Sequence, residues 1–190
     1  MSLTIIGGQF KGRALISPKS SLTKPTLALM RKSVFDICQG YIEDCRFLDL
    51  FACSGAMGLE ALSRGALHAT FVEKDRKTCK VLSENINLLG VAPQSDLLCK
   101  DAFTAPSFLS SPYDIIYIDP PYPLSKMANS PVLSLIHAID KSSLLTPDTI
   151  VFVEEAAPGA LPLETEPFQK LRYKNSRKFG ASLLHQLISC

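Results

Sequence analysis

Two hydrophobic rhythms alternate along this chain. Between residues 46 and 155, short apolar runs are interleaved with segments whose apolar positions recur every three or four residues. RFLDLF at 46–51 reads as a buried strand, and 56–64 as a helix ending near Gly65. ATFVE at 69–73 predicts a second strand, and 75–89 a helix closed by Gly90. A weaker strand follows at 95–99, a strong one at 113–119, a helix at 129–140 and a strand at 149–155. Residues 168–174 and 181–188 predict a closing antiparallel pair that turns near Gly180. Ahead of this block, TIIGGQFKGRALI at 4–16 predicts a β-hairpin, two apolar runs around Gly-Gly and Lys-Gly-Arg. Pro18 and Pro25 punctuate a polar loop. Thr26 is then placed to N-cap a helix with Leu27, Met30, Val34, Ile37 and Cys38 on one face, which Gly40 stops. Strand and helix in alternation predict an α/β fold, a mostly parallel sheet with helices on both faces.

Composition sharpens this picture. With 190 residues, 46% hydrophobic and 20% charged, the chain suits one globular domain and a small extension. The predicted division is a basic hairpin arm at 1–25 and a main domain at 26–190. A formal charge of +2 on its face argues against a polyanionic partner, but the charge is uneven. Residues 1–32 hold six Lys/Arg and residues 167–190 hold five, with no acid in either stretch. The middle carries nine basic against eighteen acidic residues. Basic ends free of acid, mixed with glycine and apolar residues, favour phosphate-facing surfaces over plain solvated charge. Lys11, Arg13, Lys24 and Arg31 are the first candidates, then Arg177 and Lys178.

The six cysteines (38, 45, 53, 79, 99 and 190) show no C-x-x-C spacing, and His68, His137 and His185 lie far apart. Free thiols in a reducing compartment and no metal site are expected. The first residues lack the apolar stretch of a signal peptide, and no run of 18 apolar residues is present. A cytoplasmic protein without a membrane partner is the expectation.

The chemistry concentrates at predicted strand ends. The first strand runs into Asp49-Leu50-Phe51-Ala52-Cys53-Ser54-Gly55-Ala56-Met57-Gly58, then a helix. Small residues there let backbone approach a ligand, although close helix–strand packing also explains glycines. Glu73, ending the next strand, can accept hydrogen bonds from both ribose hydroxyls of an adenosine cofactor, or else cap the helix near Asp75. Asp49 helps choose the cofactor. An acid before the turn sits badly beside a pyrophosphate but suits the amino group of a methionine moiety, favouring S-adenosylmethionine over NAD. Asp101-Ala102-Phe103 can present a carboxylate to an adenine amine and a ring to its face, or else Asp101 merely caps a turn.

The strand at 113–119 ends in Asp119-Pro120-Pro121-Tyr122. A chance D-P-P-Y is expected on the order of once per thousand chains of this length. It lies at the carboxyl end of a strand, where doubly wound sheets bind ligands. A nucleobase amine is a poor nucleophile because its lone pair is delocalised into the ring. Asp119 and the Pro120 carbonyl can both accept hydrogen bonds from such an NH₂ and aim its lone pair at a methyl donor. The prolines stiffen the turn, and Tyr122 offers a ring for stacking on the base.

These segments together resemble the RsmD family of bacterial small-subunit ribosomal RNA guanine-N2 methyltransferases. The resemblance rests on Ile5-Ile6-Gly7-Gly8 with Lys11-Gly12-Arg13, Lys24-Pro25-Thr26 with Arg31 and Phe35, and Leu48-Asp49-Leu50-Phe51 with Ser54-Gly55. It continues through Gly58–Ala66, Val72-Glu73, Asp119-Pro120-Pro121-Tyr122 and Lys178-Phe179-Gly180. It implies a Rossmann-like class I methyltransferase fold, a seven-stranded mostly parallel sheet with an N-terminal β-hairpin that helps hold RNA. It also implies S-adenosylmethionine as donor and transfer to the N2 amine of one guanosine in 16S rRNA. A monomer acting on a small-subunit particle is the expectation, with free rRNA left open as the substrate. Asp49, Phe51, Ala52, Ser54, Gly55, Glu73, Lys74, Asp101 and Ala102 would line the cofactor, and Asp119, Pro120 and Tyr122 would hold the guanine amine. Two residues depart from the family pattern: Cys53 stands where glycine is usual, and Lys24 where arginine is usual. The rivals are a DNA adenine-N6 or cytosine-N4 methyltransferase, for which the chain after Tyr122 is short of a target-recognition segment, and a catalytically inactive RNA-binding assembly factor. An NAD-dependent oxidoreductase fits Asp49 and D-P-P-Y poorly.

Overall fold

The computed structural model of the chain describes residues 3–18, 25–121, 130–159 and 161–190. It forms a seven-stranded, mostly parallel sheet whose strands lie in the order 95–98, 68–72, 46–50, 113–118, 145–156, 182–189 and 171–179, and a separate two-stranded ribbon of 3–4 and 14–15. The contacts divide the chain into two compact units, Met1–Ala102 and Phe103–Cys190.

In the first unit, β1 (Leu3–Thr4) and β2 (Ala14–Leu15) pair antiparallel as the expected hairpin. Helix α1 spans Pro25–Ile37, so it begins one residue before Thr26, which falls inside its first turn and not at the expected N-cap position. Proline suits that first position because its missing N–H would have no intrahelical partner. Then come β3 (Arg46–Leu50), α2 (Ala56–Ser63), β4 (His68–Val72), α3 (Arg76–Leu89) and β5 (Ser95–Leu98). Strands β3 and β4 are buried over four consecutive residues each, which is why they read as unbroken apolar runs. Asp75 caps α3 by accepting from Thr78 N at 2.8 Å, and Gly90 closes it at φ 70°. The apolar face of α3 (Cys79, Leu82, Ile86, Leu89) is buried at the predicted spacing. Phe35 and Phe47 stack with centroids 6.1 Å apart.

The second unit holds α4 (Ala105–Phe108), β6 (Tyr113–Ile118), α5 (Pro131–Asp140), β7 (Leu145–Ala156), β8 (Leu171–Phe179) and β9 (Ser182–Ser189). Strands β6 and β7 run parallel, with Ile118 opposite Val153. Strand β9 lies antiparallel between β7 and β8. The final pair turns at Gly180 as expected, but β8 starts at Leu171 and runs to Phe179. Asp140, at the end of α5, fixes where it starts. Its carboxylate accepts from the N–H groups of Gln169, Lys170 and Leu171 at 2.7–2.8 Å. Burial opposes its charge, yet these donors and the nearby His137 hold its pKa below the ordinary value. No described helix is long and apolar enough to cross a membrane.

Candidate active site

The turn between β3 and α2 is strained. Phe51 and Cys53 adopt left-handed φ values of 65° and 50°, and Gly55 one of 80°. A left-handed conformation costs a residue with a β-carbon about 1–2 kcal/mol, and such strain gathers at functional sites. Cys53 therefore holds a left-handed turn despite its β-carbon, at the position where the resemblance leads one to expect glycine. The turn is held by Ala52 N donating to Val72 O at 3.0 Å, Gly55 N to Ala52 O at 2.7 Å, and Cys53 N to Glu73 Oε2 at 3.0 Å. A β-carbon on Gly55 would stand 2.2 Å from Leu82 Cδ1, and one on Gly58 2.3 Å from Phe71 Cε1. Both glycines thus serve the packing role that stood as the alternative to ligand approach.

Two acids face this turn. Asp49 is 2% exposed and accepts from Gly58 N at 3.0 Å, the first turn of α2. Burial pushes its carboxyl up to about 8; the Gly58 N–H opposes this and the Glu73 charge adds to it. Glu73 accepts from Cys53 N through one oxygen and from Asp75 N, at 2.8 Å, through the other. Each oxygen keeps a lone pair, so the carboxylate can still receive two hydroxyl donors. A buried carboxyl this reluctant to ionise is stabilised by a cation, and a carboxylate oriented by two N–H groups suits a diol. The donor set fits S-adenosylmethionine. Lys74 and Asp101 are exposed, Ala102 and Ser54 buried, Phe51 partly exposed.

Sequence reasoning missed the device that positions the turn. Asn85, on the buried face of α3, is fully buried and donates from Nδ2 to Ser54 O and Ile16 O, both at 2.9 Å. Its Oδ1 accepts from Ile16 N at 2.8 Å. The one available signal was an amide at a position three residues after buried Leu82. The arm also grips α2. Ile6 N donates to Glu60 Oε2 at 2.8 Å, Gln9 N to Ser63 O at 2.7 Å, and Phe10 N to Ser63 Oγ at 3.0 Å. Gly8, at φ 73°, passes so close that a β-carbon would lie 1.7 Å from Ser63 O.

This packing corrects the placement of Arg31. It was expected on a phosphate-facing surface, but it is 4% exposed. It donates to Thr4 O at 2.7 Å and stands 3.7 Å from the fully buried Glu60, which also pairs with Arg64 at 2.8 Å. Its charge neutralises an interior acid. Lys11 and Arg13 are exposed on the hairpin, and Lys24 lies outside the described residues.

In the second unit, Asp119 and Pro120 follow directly from the last β6–β7 register pair, Ile118 and Val153, at the carboxyl end of β6. Asp119 is partly exposed and Pro120 buried, while Tyr122 lies outside the described residues. Parallel register places Asp119 on the same face as Tyr117 and Glu154. Tyr117 donates to the fully buried Glu154 at 3.0 Å. Glu155, one residue on, points to the other face, where it pairs with His185 at 2.8 Å in the wall of a cleft of about 410 Å³. Arg177 and Lys178 are exposed on β8, the edge strand of the sheet, where basic side chains also discourage edge pairing.

The family described as Conserved hypothetical protein 95 matches residues 3–186. The chain is 32% identical over 160 residues to the ribosomal RNA small subunit methyltransferase D of Escherichia coli K12, covering 84% of this chain and 78% of that protein. It is similar to the solved structure of yhhF from Escherichia coli, with TM-score 0.83 and 28% identity over 100% of this chain and 98% of that one. A hypothetical protein of Thermus thermophilus gives TM-score 0.79 and 27% identity over 98% and 99%.

Proposed function

We infer the activity from one premise: the chain belongs to the Conserved hypothetical protein 95 family, that of the RsmD-type ribosomal RNA methyltransferases. It is an S-adenosylmethionine-dependent rRNA methyltransferase, and its acceptor is the N2 amine of a guanosine in 16S rRNA. The observation that carries the amine acceptor is Asp119-Pro120 directly after the carboxyl end of β6, an acidic residue followed by a rigid carbonyl; guanine and its N2 position rest on the family resemblance.

The residues divide the work. Asp49 would hold the amino end of the cofactor and Glu73 its ribose, with Asp101 and Ala102 toward the adenine and Phe51, Ala52, Ser54, Gly55 and Lys74 around it. S-adenosylmethionine supplies a methyl group on an electrophilic sulfonium. Asp119 and the Pro120 carbonyl accept the two N–H bonds of the guanine amine, draw the nitrogen toward tetrahedral geometry and turn its lone pair outward. Asp119 then takes the proton that the methylated nitrogen sheds. Tyr122 stacks on the base. The hairpin arm at 1–25, through Lys11, Arg13 and Lys24, binds RNA phosphates as an extension of the main domain at 26–190, with Arg177 and Lys178 as further contacts. The enzyme works as a cytoplasmic monomer on a small-subunit particle.

The test is transfer of labelled methyl from S-adenosylmethionine to under-methylated small subunits, naked rRNA and duplex DNA. Label in the subunits supports the reading. Label in DNA alone, or none anywhere, overturns it.

A further inference from the structure

Cys79 lies in the first turns of α3, and Cys99 follows β5. Twenty residues separate them, with no motif linking them in sequence. The sheet brings them together: Val72 pairs with Leu98, and Glu73 N donates to Leu98 O at 3.2 Å, which sets Cys99 beside Glu73. The two sulfurs stand 2.6 Å apart, and the Cys79 thiol donates to Glu73 O at 3.2 Å. Only about 0.6 Å of movement separates that geometry from a sulfur–sulfur bond. Cys79 is 7% exposed, whereas Cys99 is open to solvent.

We propose that Cys79 and Cys99 form a redox-modification site, oxidised by a hydroperoxide to a disulfide that lies against Glu73 and weakens S-adenosylmethionine binding. The disulfide stands on the thiol geometry alone; its effect on the cofactor rests on the functional reading above.

The two thiols have different roles. Exposed Cys99 attacks the peroxide as its thiolate, the O–O bond breaks, and the products are a Cys99 sulfenic acid and hydroxide, or alkoxide from an alkyl peroxide. Burial, the contact with Cys99 and the charges of Glu73 and Asp75 all push the Cys79 thiol up, so it is the poorer first nucleophile. It acts second. Its sulfur displaces hydroxide from the Cys99 sulfenic acid, and its proton leaves with that hydroxide as water. Two thiols lose two electrons and two protons, and the peroxide is reduced. The new bond removes the hydrogen that Cys79 gave to Glu73 O. The main chain that aims the Glu73 carboxylate thereby loses a donor.

The experiment treats the reduced full-length chain with hydrogen peroxide, blocks remaining thiols, and measures intact mass, cross-linked peptides and S-adenosylmethionine affinity by calorimetry. The expected result is loss of two hydrogens and a single Cys79–Cys99 cross-link that dithiothreitol reverses. Cofactor affinity should be about five-fold weaker in the oxidised form, the scale of one lost hydrogen bond. Cys99→Ser, at an exposed position, should neither cross-link nor lose affinity on treatment. Cross-links elsewhere, sulfinic acids without a disulfide, or equal affinity in both forms would overturn the proposal. A chain that forms the cross-link but binds no S-adenosylmethionine even when reduced would instead overturn the functional reading.

Discussion

Asn85 Nδ2 donates to the carbonyl oxygen of Ser54 at 2.9 Å, so a side chain of α3 holds the strained turn that follows β3. The same amide pairs with both backbone groups of Ile16, at the end of the hairpin arm. One buried residue thus ties the proposed RNA arm to the proposed cofactor turn.

Replacing Asn85 with Ala removes three hydrogen bonds, one to the buried Ser54 carbonyl and two to the more exposed backbone of Ile16. Stability should fall by about 3 kcal/mol. The melting temperature should drop by about 10 °C. Asn85→Asp sets a carboxylate against two carbonyl oxygens and should be worse than Ala. Thermal unfolding checks the order, and the cofactor's dissociation constant should rise in both variants.

Asp49 makes the pH dependence specific. Its folded pKa, about 8, lies above that of the unfolded chain, so the folded state keeps a proton that the unfolded state releases. Stability without cofactor should be fullest below about pH 4 and decline as pH rises toward 8. Binding a cation needs the carboxylate, so affinity for S-adenosylmethionine should rise by up to about tenfold per pH unit below the pKa, then level off. Asp49→Asn should bind weakly and keep only the ligand's own titration. Calorimetry from about pH 6 to about pH 9, spanning the expected titration, separates the two curves. Superimposable profiles would remove Asp49 from the site.

Asp119→Ala should abolish methyl transfer while S-adenosylmethionine binding stays within a few-fold. Full activity in this variant would sink the assigned chemistry. A matching loss of cofactor affinity would instead move Asp119 to the cofactor's side.

The two arginines named for RNA should part company. Arg13→Glu should weaken rRNA binding and make its salt dependence shallower by about one ion, with cofactor binding unchanged. Arg31→Ala should cost about 3 kcal/mol of stability, because it leaves Glu60 short of a buried counter-charge. Filter binding at several salt concentrations and thermal melts distinguish them.

Much of this was legible in the sequence because buried parallel strands announce themselves. Four consecutive buried residues in β3 and in β4 left few other readings of RFLDLF and ATFVE. The glycine turn and Asp119-Pro120 were legible for a similar reason: both fall where a strand must end. Arg31 misled because its periodic position on α1 does not say that Thr4 and Glu60 will close over it. Contacts between distant segments stay silent in composition and spacing. Asn85 looks like any polar residue on a helix until Ile16 and Ser54 arrive beside it. The nearness of Cys79 and Cys99 depends on a strand register that no local pattern displays.

Nucleoside analysis of the product tests the central assignment most directly. Under-methylated small subunits are incubated with the enzyme and labelled S-adenosylmethionine, and the 16S rRNA is digested to nucleosides and resolved by mass spectrometry. Label is expected in N2-methylguanosine at a single position, absent with Asp119→Ala. Label in N6-methyladenosine, N4-methylcytosine or a ribose methyl would contradict it.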